Sequence, residues 1–279
     1  MIIAVQAVFL RMFIAHLLGD FYLQKNEWVE DKQKNGWKSK KLYLHSGLIA
    51  FIIYFFSGVW SALWIIPVIF VTHASIDLLK VSLDKKCDNC LLSYVFDQVL
   101  HIIVLLLITL FIGGQYGTEL MMSIPALFSN PVLLSFIVAY LLILTPAGFL
   151  IRNILTPIGE KIKAIEKNNE SKDSSDLKNG YNNLDDAGRL IGYLERILVL
   201  TFVFINEYAA IGFLITAKSI FRFKEDKAYL VEYYLLGTFL SMTIVVIIGL
   251  ATFFACEILW SGSLNDLLVL VHSMSTTIT

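Results

Sequence analysis

Four of the chain's five histidines lie inside otherwise apolar stretches, and three of those four have an aspartate four residues away. His16 and Asp20 belong to HLLGDFYLQ, His73 and Asp77 to THASIDLLK, Asp97 and His101 to FDQVLH, and His45 to LYLHSG. On an α-helix, residues i and i+4 share a face one turn apart, so each pair shows an imidazole and a carboxylate to the same neighbour. Imidazole suits Zn, Fe, Ni or Cu, and carboxylate widens the choice to Mn and Mg. A single such pair reads most simply as a local hydrogen bond. Three pairs and a further histidine exceed what one tetrahedral ion requires. His16, Asp20, His45, His73, Asp77, Asp97 and His101 are therefore the candidate ligands of one or two divalent ions, with Zn, Mn or Fe expected. Asp20, Asp77 and Asp97 are the candidate carboxylates to bridge two ions or act as base.

These residues need elements that hold them together. The chain is 57% hydrophobic and only 16% charged, with a mean hydropathy of +0.71. A soluble domain carries about 25% charge. The fold class expected is all-α, a polytopic membrane helix bundle. Crossing about 30 Å of hydrocarbon takes about 20 apolar residues. Residues 1–22, 42–60, 61–80, 93–113, 131–151 and 230–255 have that length, giving six full transmembrane helices. Arg11, His16 and Asp20 interrupt the first apolar run and no small-residue cleavage site follows, so 1–22 is expected to be a retained helix rather than a signal peptide.

Lysine and arginine mark cytoplasmic loops. The connections after the first, third and fifth helices are rich in them, whereas 57–62 and 114–129 have none. This alternation predicts an inner-membrane protein of bacterial type, with the N-terminus outside and the basic loops cytoplasmic. All seven His and Asp candidates then fall at the cytoplasmic ends of the first four helices. Antiparallel neighbours carrying HxxxD and the inverted DxxxH bring like groups to like depth.

Residues 190–217 break the pattern. One crossing there makes seven helices and puts Lys218, Arg222, Lys224 and Lys227 outside. A re-entrant hairpin bending near Asn206-Glu207 returns the chain to the cytoplasm, and it is the reading preferred. The expected organisation is a four-helix unit over 1–113, a fifth helix within 114–151, a charged and mobile connection over 152–189, and a C-terminal membrane unit over 190–279. The last contains GYLER, whose Glu195 and Arg196, with Glu207, Lys218 and Arg222, read either as an interfacial helix start or as a polar pocket for an anionic headgroup.

Several neighbours are ambiguous. Gln24, Gln98 and Ser46 are candidate donors to the site. Lys80 shares a face with Asp77 and either neutralises it or extends to the interface. Arg11, on the face opposite Asp20, is expected to pair with an acid on another helix, such as Glu207. The lone CDNC of Cys87 and Cys90 reads as an incidental thiol pair. No basic domain or nucleic-acid motif is present.

HLLGDFYLQ, LYLHSG, THASIDLLK and FDQVLH, in that order over residues 16–101, resemble a bacterial membrane family catalogued as domain of unknown function 3307. Residues 187–223 are similar to the C-terminal half of its longer members. The resemblance carries no activity, and only a distant analogy links such motifs to membrane-bound metal-dependent hydrolases. The leading expectation is metal-dependent hydrolysis of a phosphoester or lipid-like, anionic substrate. A metal or ion transporter and a structural metal clamp in a scaffold stand beside it. The bilayer is the one partner expected; substrate and oligomeric state are left open.

Overall fold

The computed structural model describes residues 2–85, 90–116, 129–169, 181–222 and 228–276, and every regular element among them is helical. The helices are α1 (Ile2–Leu17), α2 (Asn26–Asn35), α3 (Lys40–Ser57), α4 (Ile65–Asp84), α5 (Cys90–Gln115), α6 (Pro131–Ile143), α7 (Thr145–Asn169), α8 (Tyr181–Phe204), α9 (Tyr208–Arg222) and α10 (Ala228–Thr276). They pack as two compact units, one of Met1–Leu141 with Thr252–Thr279 and one of Leu142–Ala251.

By length and composition, five stretches among the described residues can cross a membrane: Val5–Leu23, Ile65–Asp84, Leu91–Gln115, Pro131–Ile162 and Tyr229–Glu257. Six were expected. The difference is α3, whose 18 residues open on Lys40-Lys41 and include His45, so its apolar part is short.

In the first unit, α1, α3, α4 and α5 form an up-down bundle in which each helix packs on two neighbours, with α1 and α4 on one diagonal. Its core joins Met12 of α1, Ile49 and Ile53 of α3, Ile65 of α4 and Ile112 of α5, all essentially fully buried. Ser39 opens α3 by accepting a hydrogen bond from the Leu42 N–H, and Gly58 closes it in the left-handed region at φ +70°. Arg11 is buried and donates to the Ser57 carbonyl at 2.8 Å. Its guanidinium therefore serves the electronegative end of α3.

Helix α2 lies beside α3 and α4. Its Asp31 accepts from Asn35 at 2.7 Å and from the hydroxyl of Ser39, which ties α2 to the start of α3. The Ser39 hydroxyl holds the Asp31 carboxyl below its usual value.

The uncharged segment 131–151, expected as one helix, breaks at Leu144 into α6 and α7. Pro146 explains it: the ring has no N–H to give and crowds the carbonyl four residues back. In the second unit, α8 stops at Phe204, Asn206 adopts φ +59°, and α9 begins at Tyr208. Lys218 of α9 reaches back to Glu195 of α8, so the chain doubles back where sequence placed a bend. Helix α8 starts near residue 181, so this arm is longer than the half-helix expected. Residues 170–180 of the connection, and Cys87 of CDNC, lie outside the described residues.

Candidate metal centre

The His and Asp candidates converge at one end of the four-helix bundle. His16 is near the end of α1, His45 near the start of α3, His73 and Asp77 toward the end of α4, and Asp97 and His101 toward the start of α5. Asp20 lies in a single π-helical turn, Leu18–Leu23, that follows α1. Such turns are rare and concentrate at functional sites. Gly19 lets the turn lie against α3, since a Cβ there would sit 1.9 Å from Ile49 Cδ1.

The Asp20 carboxylate lies between three imidazoles. Its Oδ1 is 3.2 Å from His73 Nε2 and 3.3 Å from His45 Nε2, and its Oδ2 is 3.8 Å from His16 Nδ1. Asp77 Oδ2 is 3.9 Å from His73 Nδ1 and 4.0 Å from His45 Nε2. The ring centroids of His73 and His101 are 4.3 Å apart, and those of His16 and His101 are 4.8 Å apart. None of these four imidazoles is more than 4% exposed.

Among the described residues, three sets of side chains can each bring their ligand atoms within 4.8 Å of one another: His16, Asp20 and His73; His45, His73 and Asp77; and Asp77, Asp97 and His101. His73 belongs to two sets, and so does Asp77. That sharing is what a pair of neighbouring ions, or one ion with an outer ring of acids, requires.

Hydrogen bonding supports ligation over simple packing. His101 Nδ1 donates to the Asp97 backbone carbonyl at 2.9 Å. In the neutral ring this leaves the lone pair on Nε2, the usual arrangement of a metal-ligating histidine. That Nε2 is buried without a hydrogen-bond partner, as are His16 Nε2, His73 Nδ1 and His45 Nδ1, whereas His45 Nε2 faces Asp20 Oδ1 at 3.3 Å. Buried polar atoms are rarely left so, and one explanation is an ion. The donor set of imidazole nitrogens and carboxylate oxygens fits Zn, Mn or Fe.

Two lysines balance the acids. Lys80 Nζ lies 2.9 Å from Asp97 Oδ2, which also accepts from Gln98 Nε2 at 2.9 Å. Lys80 thus neutralises Asp97, not the Asp77 on its own helix face. Asp77 is instead held by Lys32 of α2, with Nζ 2.7 Å from Oδ2 and both side chains under 10% exposed. In the sequence, Lys32 is one of six lysines in the basic connection after the first helix. Its one local signal is Trp28, four residues earlier and so on the same helix face, whose ring lies 6.2 Å from that of His45. Ser46 does not serve the site: its hydroxyl donates to the Leu42 carbonyl at 3.0 Å.

The second polar cluster lies within the other unit. Glu195 and Lys218 form an ion pair, and with Arg196, Tyr233, Thr238 and Ser241 they line part of a cavity of about 180 Å³. Arg196 donates from Nε to the Ile143 carbonyl and from Nη2 to that of Leu144 at 3.3 Å, with its guanidinium 5.2 Å from the Tyr193 ring centre. It thereby satisfies carbonyls at the α6–α7 break. Glu207 lies exposed at the turn before α9, away from this cavity's lining. The Arg222 side chain is outside the described residues.

No curated protein and no solved structure matches the chain. One family model does, over residues 8–129, a range that takes in all seven His and Asp candidates and Lys32. Over that region the chain is similar to the family described as Protein of unknown function (DUF3307).

Proposed function

We propose that this chain is an integral membrane protein of the bacterial inner membrane whose His/Asp centre faces the cytoplasm and binds one or two divalent ions for hydrolysis. The substrate class proposed is a phosphoester or a lipid-like acyl ester. What carries the reading is the overlap of three His/Asp groups at buried imidazole nitrogens that lack partners. An ion in such a site lowers the pKa of a coordinated water toward neutrality and polarises the bond to be cleaved.

The chain's own residues divide the remaining work. Asp20, facing three imidazoles, is suited to hold or bridge ions. Asp97 has Oδ2 fixed by Lys80 and Gln98 while Oδ1 is buried without a partner, which suits it to accept a proton. Burial of the imidazoles keeps bulk water away and strengthens every charge interaction inside.

Conduction is less well supported. Beyond the centre, the bundle axis is filled by Met12, Ile53, Ile65 and Ile112, an apolar plug rather than a path of further ligands. A structural ion is the second reading, favoured by how little of any imidazole is exposed.

Turnover of chromogenic phosphomonoester, phosphodiester and acyl ester substrates by the full chain in detergent tests the proposal. Hydrolysis should disappear on chelation and return with Zn or Mn. Asp97→Asn should keep the ion and lose turnover by about 100-fold or more, as expected for a proton-transfer group. Ion binding that raises thermal stability while no ester is cleaved would leave the structural reading in its place.

A further inference from the structure

The three carboxylates of the centre face two ammonium groups, and the two lysines are attached differently. Lys80 stands on α4, one of the four bundle helices, and is itself 30% exposed. Its Nζ also lies 5.7 Å from the centre of the Tyr94 ring. Lys32 comes from α2, a separate ten-residue helix outside the bundle, and its ammonium is buried against Asp77. Asp77 is a shared member of two of the three ligand groups, and its Oδ2, the atom nearest His73 and His45, is the one Lys32 holds. That ammonium, at 2.7 Å, takes up the same oxygen that a divalent ion ligated by His45, His73 and Asp77 would use.

We infer that Lys32 is an internal cation that occupies the Asp77 corner of the centre, and that a divalent ion binds there by displacing it. This rests on the metal reading proposed above. The two cations compete for that oxygen, because two positive centres both within ligand distance of it repel each other. The exchange needs no unfolding. Asp31 ties α2 to Ser39 at the start of α3, so the helix stays in place while the long, flexible Lys32 side chain turns out. Two consequences follow. Lys32 keeps Asp77 from being a buried charge without a partner, which would be costly. It also sets a threshold, since only an ion that gains more from two imidazoles and a carboxylate than the ammonium does can enter.

The test uses the full chain in detergent with Zn or Mn as the probe, and two readouts. The first is labelling by an amine-acylating reagent, followed peptide by peptide, with the exposed Lys34 as internal reference. Lys32 should be protected in chelator and should approach the Lys34 rate when ion is added. The second is ion affinity of Lys32→Met, which keeps the stem and removes the charge. It should bind the ion about tenfold more tightly or better, the low end for loss of a close competing charge. Labelling of the unaltered chain decides the matter even if Lys32→Met fails to fold. Ion binding with Lys32 still protected overturns the inference and leaves the metal centre standing. Absence of ion binding in both proteins overturns the inference and the metal reading together.

Discussion

The two polar clusters differ in what their charges find. In the second unit Glu195 is matched by Lys218, and Arg196 by two main-chain carbonyls and a tyrosine ring. Those charges are accounted for by protein, and Arg196 has a clear architectural task at the α6–α7 break. At the end of the four-helix bundle the acids are partly matched by lysines, but imidazole nitrogens on all four helices are buried with no partner. Intramembrane polarity alone therefore does not mark a site. Polarity that the protein satisfies builds the fold, and polarity it leaves open implies a ligand.

The largest expected break in that contrast is His73→Ala. His73 serves two of the three ligand groups, so its loss should weaken divalent-ion binding by about 100-fold or more, beyond what outer-ring changes do. Isothermal titration of the reconstituted protein reads it. Arg196→Met should do the reverse. It removes the Arg196 donor from the buried Ile143 carbonyl, while the Leu144 carbonyl keeps the Gly148 N–H, costing about 1–3 kcal/mol of stability, with ion content unchanged; thermal unfolding in detergent and metal analysis on one sample separate the two. Gly19→Ala probes how the π-turn is seated. The added methyl meets Ile49 Cδ1 and should cost about 1–2 kcal/mol by overpacking, much of it restored by adding Ile49→Val, which deletes that carbon. The smallest effect belongs to the Glu195–Lys218 pair. Its side chains are 15–19% exposed, and a double-mutant cycle of Glu195→Gln and Lys218→Met should give a coupling of about 1 kcal/mol or less.

Much of this was legible in the sequence because it depends on periodicity. Helical spacing joined His16 to Asp20, His73 to Asp77 and Asp97 to His101, and the alternation of basic loops brought the pairs to one end of the chain's helices. The bend at Asn206 was signalled by a conflict of charge, and the structure has a left-handed residue there. Lys32 was not legible, because its partner lies 45 residues away and the only local signal, Trp28 on the same helix face, is too weak to single it out among the lysines of its loop. The direction of Lys80 was missed for a related reason. Sharing a face with Asp77 says what is near on one helix, whereas α5 offered a closer acid. The π-turn has no composition signal, and its Gly19 is explained only once Ile49 is seen opposite. The break at Leu144 was visible in Thr145-Pro146, but uniform apolarity over 131–151 outweighed the proline.

The central claim is that the partnerless imidazoles are ligands. Divalent-ion content of the full chain, stripped by chelator and then re-equilibrated with Zn or Mn, tests it most directly when read with X-ray absorption at the bound ion. At least one ion per chain is expected, with imidazole nitrogens in its coordination shell, and that ion should be lost in His73→Ala. A chain that regains no ion, or one whose ion shows no imidazole scattering, would contradict it.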